Sequence, residues 1–172
     1  MPIASVIAAA IPVLTLVSHI VFVLIVLAVV LKVESVTSWI GKHAVVLGLL
    51  ITLAAIAGSL YYSLDLGYTP CELCWWQRIL IYPQLILFLT ALKFKDKRVF
   101  AYSWRLTVLA TLISLYQIYA QAGGKSLLAC TSAGAACLKV YVHAFGYITI
   151  PMMSLTVCAY LLLLAYLHRK HG

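Results

Sequence analysis

The chain predicts an all-helical membrane protein, on three observations. Only 9% of its 172 residues are charged and 65% are hydrophobic, with a mean hydropathy of +1.09; soluble domains carry about 25% charge. Apolar runs long enough to cross a bilayer recur along the chain and none alternates like a barrel strand, which leaves helices as the spanning form. The basic residues that give the net charge of +8 gather at the ends of those runs. Nucleic acid would need them on one shared solvated face, so nucleic-acid binding is excluded and membrane lipid is the expected surrounding.

The first run, Ile3–Leu31, has no Lys or Arg before Lys32. A cleavable signal would need a basic start and an apolar core of about 7–15 residues. The run is therefore expected to stay and to span, which takes about 20 residues. Lys32–Lys42 reads as a connecting loop. The second span is His43–Leu64. The third is Cys74–Leu92, with Pro83 expected to kink it. The fourth, Phe100–Gln121, is the most polar and holds Arg105, Gln117 and Gln121. The fifth is Val142–Leu167, where Pro151 is expected to introduce a second kink. Ahead of it, Leu138–Phe145 reads as a segment lying along the membrane interface.

Charge orients these spans. Lys93, Lys95, Lys97 and Arg98 fall in one loop, and Lys32, Lys42, Arg169 and Lys170 then share its side; only Lys125 and Lys139 lie in the opposite loops. The positive-inside rule puts the eight in the cytoplasm, the N-terminus outside and the C-terminus inside. Asp65–Leu73 and Ala122–Val140, the two connections that bear cysteines, are then both extracytoplasmic, on the side where disulfides persist.

Cys71-Glu72-Leu73-Cys74 is the motif most able to do chemistry. Cys-x-x-Cys closes a small ring and can cycle between dithiol and disulfide. Cys74 falls in the first turn of the third span, where free N–H groups and the helix dipole favour a thiolate. Arg78 lies one turn deeper on the same face. An arginine there needs an anion, a polar ligand or the interface to face. The bland alternative is an inert disulfide with Arg78 reaching to head groups. Cys130 and Cys137 form a second pair, which is either a loop brace or a further redox station; two pairs on one side can exchange through mixed disulfides. A four-cysteine zinc site is a rival that their loose spacing disfavours. Cys158 reads as a small buried hydrophobe. His19 reads as a packed, hydrogen-bonded histidine, and His43, His168 and His171 as solvated ends. Trp75 and Trp76 read as interfacial anchors or as walls for a flat ligand, and Tyr61, Tyr62, Tyr68 and Tyr82 admit the same two readings.

Pro70-Cys71-Glu72-Leu73-Cys74-Trp75-Trp76-Gln77-Arg78-Ile79, followed by Tyr82-Pro83, resembles the signature of the DsbB thiol oxidases, in particular their BdbC-type members. Gly58-Ser59-Leu60-Tyr61-Tyr62 and Phe145-Gly146-Tyr147-Ile148-Thr149-Ile150-Pro151 are similar to the same group. The likeness runs from about His43 to the end. It implies a four-helix transmembrane bundle that reoxidises a DsbA-like thioredoxin-fold thiol oxidase and hands the electrons to a quinone, ubiquinone or menaquinone. Cys130 and Cys137 would be the partner-facing pair, with Cys130 the site of the mixed disulfide. Cys71 and Cys74 would be the quinone-facing pair, with Cys74 contacting the quinone and Arg78 steadying both.

The chain then divides into 1–42, an additional N-terminal transmembrane helix with a cytoplasmic linker, and 43–172, the four-helix redox domain. That first helix departs from the family core. So does Gln117, where some relatives carry a histidine; an amide can hydrogen-bond there but cannot titrate. The vitamin K epoxide reductase type is the nearest alternative family, but its loop cysteines precede the Cys-x-x-Cys and here they follow it. A membrane scaffold with structural disulfides is the non-enzymatic alternative.

Overall fold

The structure, a computed structural model, describes residues 2–124 and 139–171. Among the described residues six helices follow one another: α1 (Pro2–Val30), α2 (Glu34–Lys42), α3 (Ala44–Leu64), α4 (Glu72–Phe94), α5 (Val99–Gln121) and α6 (Ile150–His171). Helices α3 to α6 close a ring, each packed on its chain neighbour and α6 back on α3. This is the expected four-helix membrane bundle, with α1 as the additional helix. α1 lies outside the ring, against α6 and α2.

By length and composition, α1 from Ile7, α3, α5 and α6 are each apolar enough to cross a membrane. α4 falls short of that apolarity, so it, and not α5 as expected, is the most polar helix of the ring, carrying Glu72, Gln77, Arg78, Gln84 and Lys93 in its 23 residues. The short connections at 65–71 and 95–98 leave α4 to carry the chain back between α3 and α5. Its glutamines point inward. Gln84 is fully buried and accepts from Ser103 (2.6 Å) and Thr107 (3.2 Å) of α5. Such bonds tie helices together where lipid offers no hydrophobic drive between them.

Small residues allow close approach at two points. A Cβ on Gly48 of α3 would meet the Phe88 ring of α4 at 2.8 Å, and one on Gly41 of α2 would meet the Leu167 carbonyl oxygen of α6 at 2.7 Å. Phe88, Phe100, Leu161, Leu164 and Leu167 fill the core beneath them.

Three further expectations need correction. Lys32–Lys42 is not a loop: α2 occupies it, turning Thr37, Ile40 and Gly41 inward at helical spacing, with Glu34 in its first turn and Lys42 in its last, as the helix dipole favours. The last span begins at Ile150, not Val142. Before it, Phe145 (φ 52°) and Gly146 (φ 79°) turn the chain and Ala144 bridges to Ile148. Pro151 consequently sits in the first turn of α6, where a proline fits without a kink. Finally, His168 is not a solvated end. It is half-buried, with its ring nitrogens 3.2 Å from the Gly41 carbonyl oxygen and 3.1 Å from that of Lys97, joining α2 and the α4–α5 turn to α6.

Candidate functional site

Cys71 ends the 65–71 connection in extended conformation (φ −77°, ψ 172°) and caps α4, its sulfur accepting from the Cys74 amide at 3.4 Å. A cap of this kind satisfies one of the free N–H groups at a helix start. Cys74 thus occupies the first turn of α4, with its Sγ 3.1 Å from that of Cys71. Cys71 is buried and Cys74 half-buried, and both are thiols here.

An amide holds the two sulfurs. Gln117 Nε2, from α5, lies 3.5 Å from Cys71 Sγ and 3.5 Å from Cys74 Sγ. Its Oε1 accepts from Gln77 Nε2 at 3.2 Å, and Gln77 also donates to Ser114 Oγ at 3.2 Å. Gln77, Ser114 and Gln117 are all buried. A donor aimed at a sulfur strengthens as that sulfur gains negative charge, so the amide is placed to respond to charge arising on either sulfur during exchange.

Beside Cys74 opens a cavity of about 330 Å³ between α1, α3, α4 and α6. Cys74, Arg78 and Tyr82 of α4 and Ser59 and Tyr62 of α3 are in its wall. The Arg78 guanidinium is fixed by α3: Nε donates to Ser59 Oγ (3.1 Å), and Nη2 to the Ser59 carbonyl (3.2 Å) and Ser63 Oγ (3.0 Å). Nη1 has no hydrogen-bond partner among the described residues. Arg78 also lies over the Trp75 ring, 5.3 Å from its centroid. Tyr82 donates to Ser59 Oγ at 3.1 Å.

Cys71 faces elsewhere. With Cys74, Gln117 and Lys139–Val142 it lines a small pocket of about 20 Å³. Tyr68 stacks between Tyr62 (5.8 Å) and Tyr141 (4.7 Å), pinning the 65–71 connection to the stretch before α6. Cys130 and Cys137 lie outside the described residues; Cys137 is two positions before Lys139 in the chain.

Of the residues singled out in the sequence, Cys74 and Arg78 line the large cavity and Cys71 and Cys74 the small pocket, with Cys74 common to both. Tyr62, Tyr68 and Tyr82 are wall residues, whereas Trp75 and Trp76 are more than half exposed on the outer face of α4, as interfacial anchors are. Cys158 is buried in α6 among Ile81 and Ala110. Ser59, Gln77 and Ser114 were not singled out for chemistry. The signal available was the cost of buried amides and of an arginine inside spans, which obliges each to find polar partners on a facing helix.

The fit of a quinone to this site can be judged from its walls. Ligand pockets run from about 300 to 1,000 Å³ and are mostly apolar with a few placed polar groups. The exposed surface of this one is mostly apolar, and its wall carries one thiol, the Arg78 guanidinium, five tyrosines and a set of Ser and Thr hydroxyls. A flat ring with carbonyl acceptors suits that set.

Comparison with known proteins bears on the cysteines. The family model described as "Disulfide bond formation protein DsbB" matches residues 41–168. A "Probable disulfide formation protein C 2" of Bacillus cereus is 33% identical over 129 residues, covering 75% of this chain and 93% of that protein. The "Disulfide bond formation protein C" of Bacillus subtilis is 38% identical over 120 residues, covering 68% and 84%. A "Probable disulfide formation protein C" of Halalkalibacterium halodurans is 41% identical over 113 residues, covering 62% and 79%. No solved structure gives a significant match.

Proposed function

Since this chain belongs to the DsbB family of membrane disulfide bond formation proteins, we propose that it reoxidises an extracytoplasmic DsbA-like thioredoxin-fold protein and passes the electrons through two cysteine pairs to a membrane quinone, ubiquinone or menaquinone. The observation that carries this reading is the division of labour within Cys71–Cys74. Cys71 lines the pocket beneath Lys139–Val142, next in sequence to the second cysteine pair. Cys74 alone of the two also lines the large cavity with Arg78.

The electron path follows from that placement. The partner's dithiol becomes a disulfide as the Cys130–Cys137 disulfide is reduced, Cys130 forming the transient mixed disulfide. A thiolate of that pair then attacks the Cys71–Cys74 disulfide at Cys71, leaving Cys74 as the departing thiolate, and the pair's second thiolate resolves this mixed disulfide, restoring Cys130–Cys137 and freeing Cys71. Gln117 and the α4 N-terminus stabilise that leaving charge. A quinone bound in the cavity supplies a two-electron, two-proton acceptor. The Cys71–Cys74 dithiol returns to its disulfide by releasing two electrons and two protons on the Cys74 side. Arg78 provides a donor for a ring carbonyl, held in place by Ser59 and Ser63. The surrounding apolar wall keeps water from the exchange.

The test is reduction of a quinone by the purified full chain with a reduced thioredoxin-fold donor, followed by loss of quinone absorbance. Cys71→Ser and Cys74→Ser should each abolish turnover. Cys137→Ser should trap a donor adduct at Cys130. Full activity in the Cys74→Ser chain would overturn the path.

A further inference from the structure

α1 precedes the residues matched by the family model, and the electron path above does not use it. It nonetheless reaches the site: Ile11, Thr15 and Ser18 line the same cavity as Cys74 and Arg78. α1 packs on α2 and α6, so the gap between it and the α3 wall at Ala54, Ala55 and Gly58 is the cavity itself. Its outward side chains, such as Leu14, Ile20 and Leu24, are more than half exposed, as suits a lipid-facing surface.

The inner face of α1 is built to be smooth and fixed. Thr15 donates to the Ile11 carbonyl (2.9 Å) and Ser18 to the Thr15 carbonyl (2.8 Å). Both hydroxyl protons are thus turned back onto the helix, and the cavity meets two small, weakly polar groups. A clasp one residue on sets the distance between α1 and α6. His19 Nδ1 lies 3.0 Å from the Tyr147 hydroxyl and Nε2 lies 2.7 Å from Thr156 Oγ1. Thr156 donates its own proton to the Met152 carbonyl at 2.9 Å. Thr156 therefore accepts from His19 Nε2–H, and Tyr147 donates to Nδ1, which selects one neutral tautomer. Tyr160 donates to the Ser18 carbonyl and packs edge-on to Phe22 at 5.1 Å. Thr156 and Tyr160 are themselves cavity residues.

We propose that α1 is the lipid-side wall of the quinone site, held at a set distance by the His19 clasp, and that Thr15 and Ser18 determine which ring the site admits. This rests on the quinone reading. Without α1 the groove between α3 and α6 would open to lipid tails, which would compete with the ring. Thr15 and Ser18 are specificity residues, and His19 is a positioning residue that acts through Thr156 and Tyr147.

The experiment uses the full chain in lipid nanodiscs and measures binding, not turnover. An azido-substituted benzoquinone should photolabel an α1 peptide containing Ile11–Ser18 as well as α4. Thr15→Leu fills the wall and should weaken quinone binding about tenfold. His19→Ala should weaken it too, and His19→Gln, which keeps one donor and one acceptor, should restore it. Leu24→Phe on the outer face should leave affinity unchanged. Labelling confined to α3, α4 and α6, with unaltered affinity in Thr15→Leu, would overturn the inference and leave the quinone reading intact. A chain that binds no quinone would remove both.

Discussion

At the scale of single residues, Gln117 decides how the two sulfurs behave. Its Nε2 donates toward both Cys71 and Cys74. Where a histidine would offer a proton, an amide offers only a fixed dipole, so its contribution is to stabilise thiolate and to orient the pair. Gln117→Ala removes that donor and leaves Gln77 with one buried partner fewer. A hydrogen bond to a charged group contributes about 1.5–3 kcal/mol. Quinone-linked turnover should therefore fall at least about tenfold, while the fold survives. An unchanged rate in the absorbance assay would reduce Gln117 to a brace. Arg78 differs in kind, because its fork spans Ser59 and Ser63 at once. Lysine has no such fork. Arg78→Lys should thus raise the apparent KM for quinone nearly as much as Arg78→Ala, and full rescue by lysine would show that charge alone matters.

At the scale of elements, the polar helix α4 organises the rest by facing a glycine on one neighbour and hydroxyls on the other. Gly48→Ala would press a methyl into the Phe88 ring and force α3 from α4, at a cost of about 1–3 kcal/mol. Thermal unfolding of the purified chain should show a lowered midpoint; an unmoved midpoint would mean that the α3–α4 contact gives way freely. The elements also show what the sequence could and could not tell. The bounds of α3, α4 and α5 were legible because hydropathy, charge and turn residues change together at their ends. The start of α6 was not. Val142–Ile150 is apolar enough to continue a span, and hydropathy says nothing of the turn at Phe145 and Gly146. α2 was hidden because its buried face is Thr37, Ile40 and Gly41, which carries the helical period without an apolar stripe. For the site, Cys71, Cys74 and Arg78 were legible because spacings of three and four residues place each beside the next. Ser59, Gln77 and Ser114 act across helix pairs, so their part depends on which helices face each other, which a single sequence does not record.

At the scale of the whole molecule, the orientation proposed from charge bears directly on the proposed electron path. The ring brings the starts of α4 and α6 to one end, together with Cys71, Cys74 and Lys139. Lys93, Lys95 and Lys97 fall at the other end of α4 or just beyond it. A partner outside the cytoplasm can reach the cysteine end only if the lysine-rich end faces in, as the positive-inside rule requires. A membrane-impermeant amine reagent applied to intact cells should then modify Lys139, which is exposed, and spare Lys93, Lys95 and Lys97 until the membrane is permeabilised. Mass spectrometry of the purified chain reads each site separately. The reverse pattern would place Cys71 and Cys74 on the reducing side, where a disulfide relay has no oxidising environment to serve, and would overturn the export role while leaving the geometry of the site as it stands.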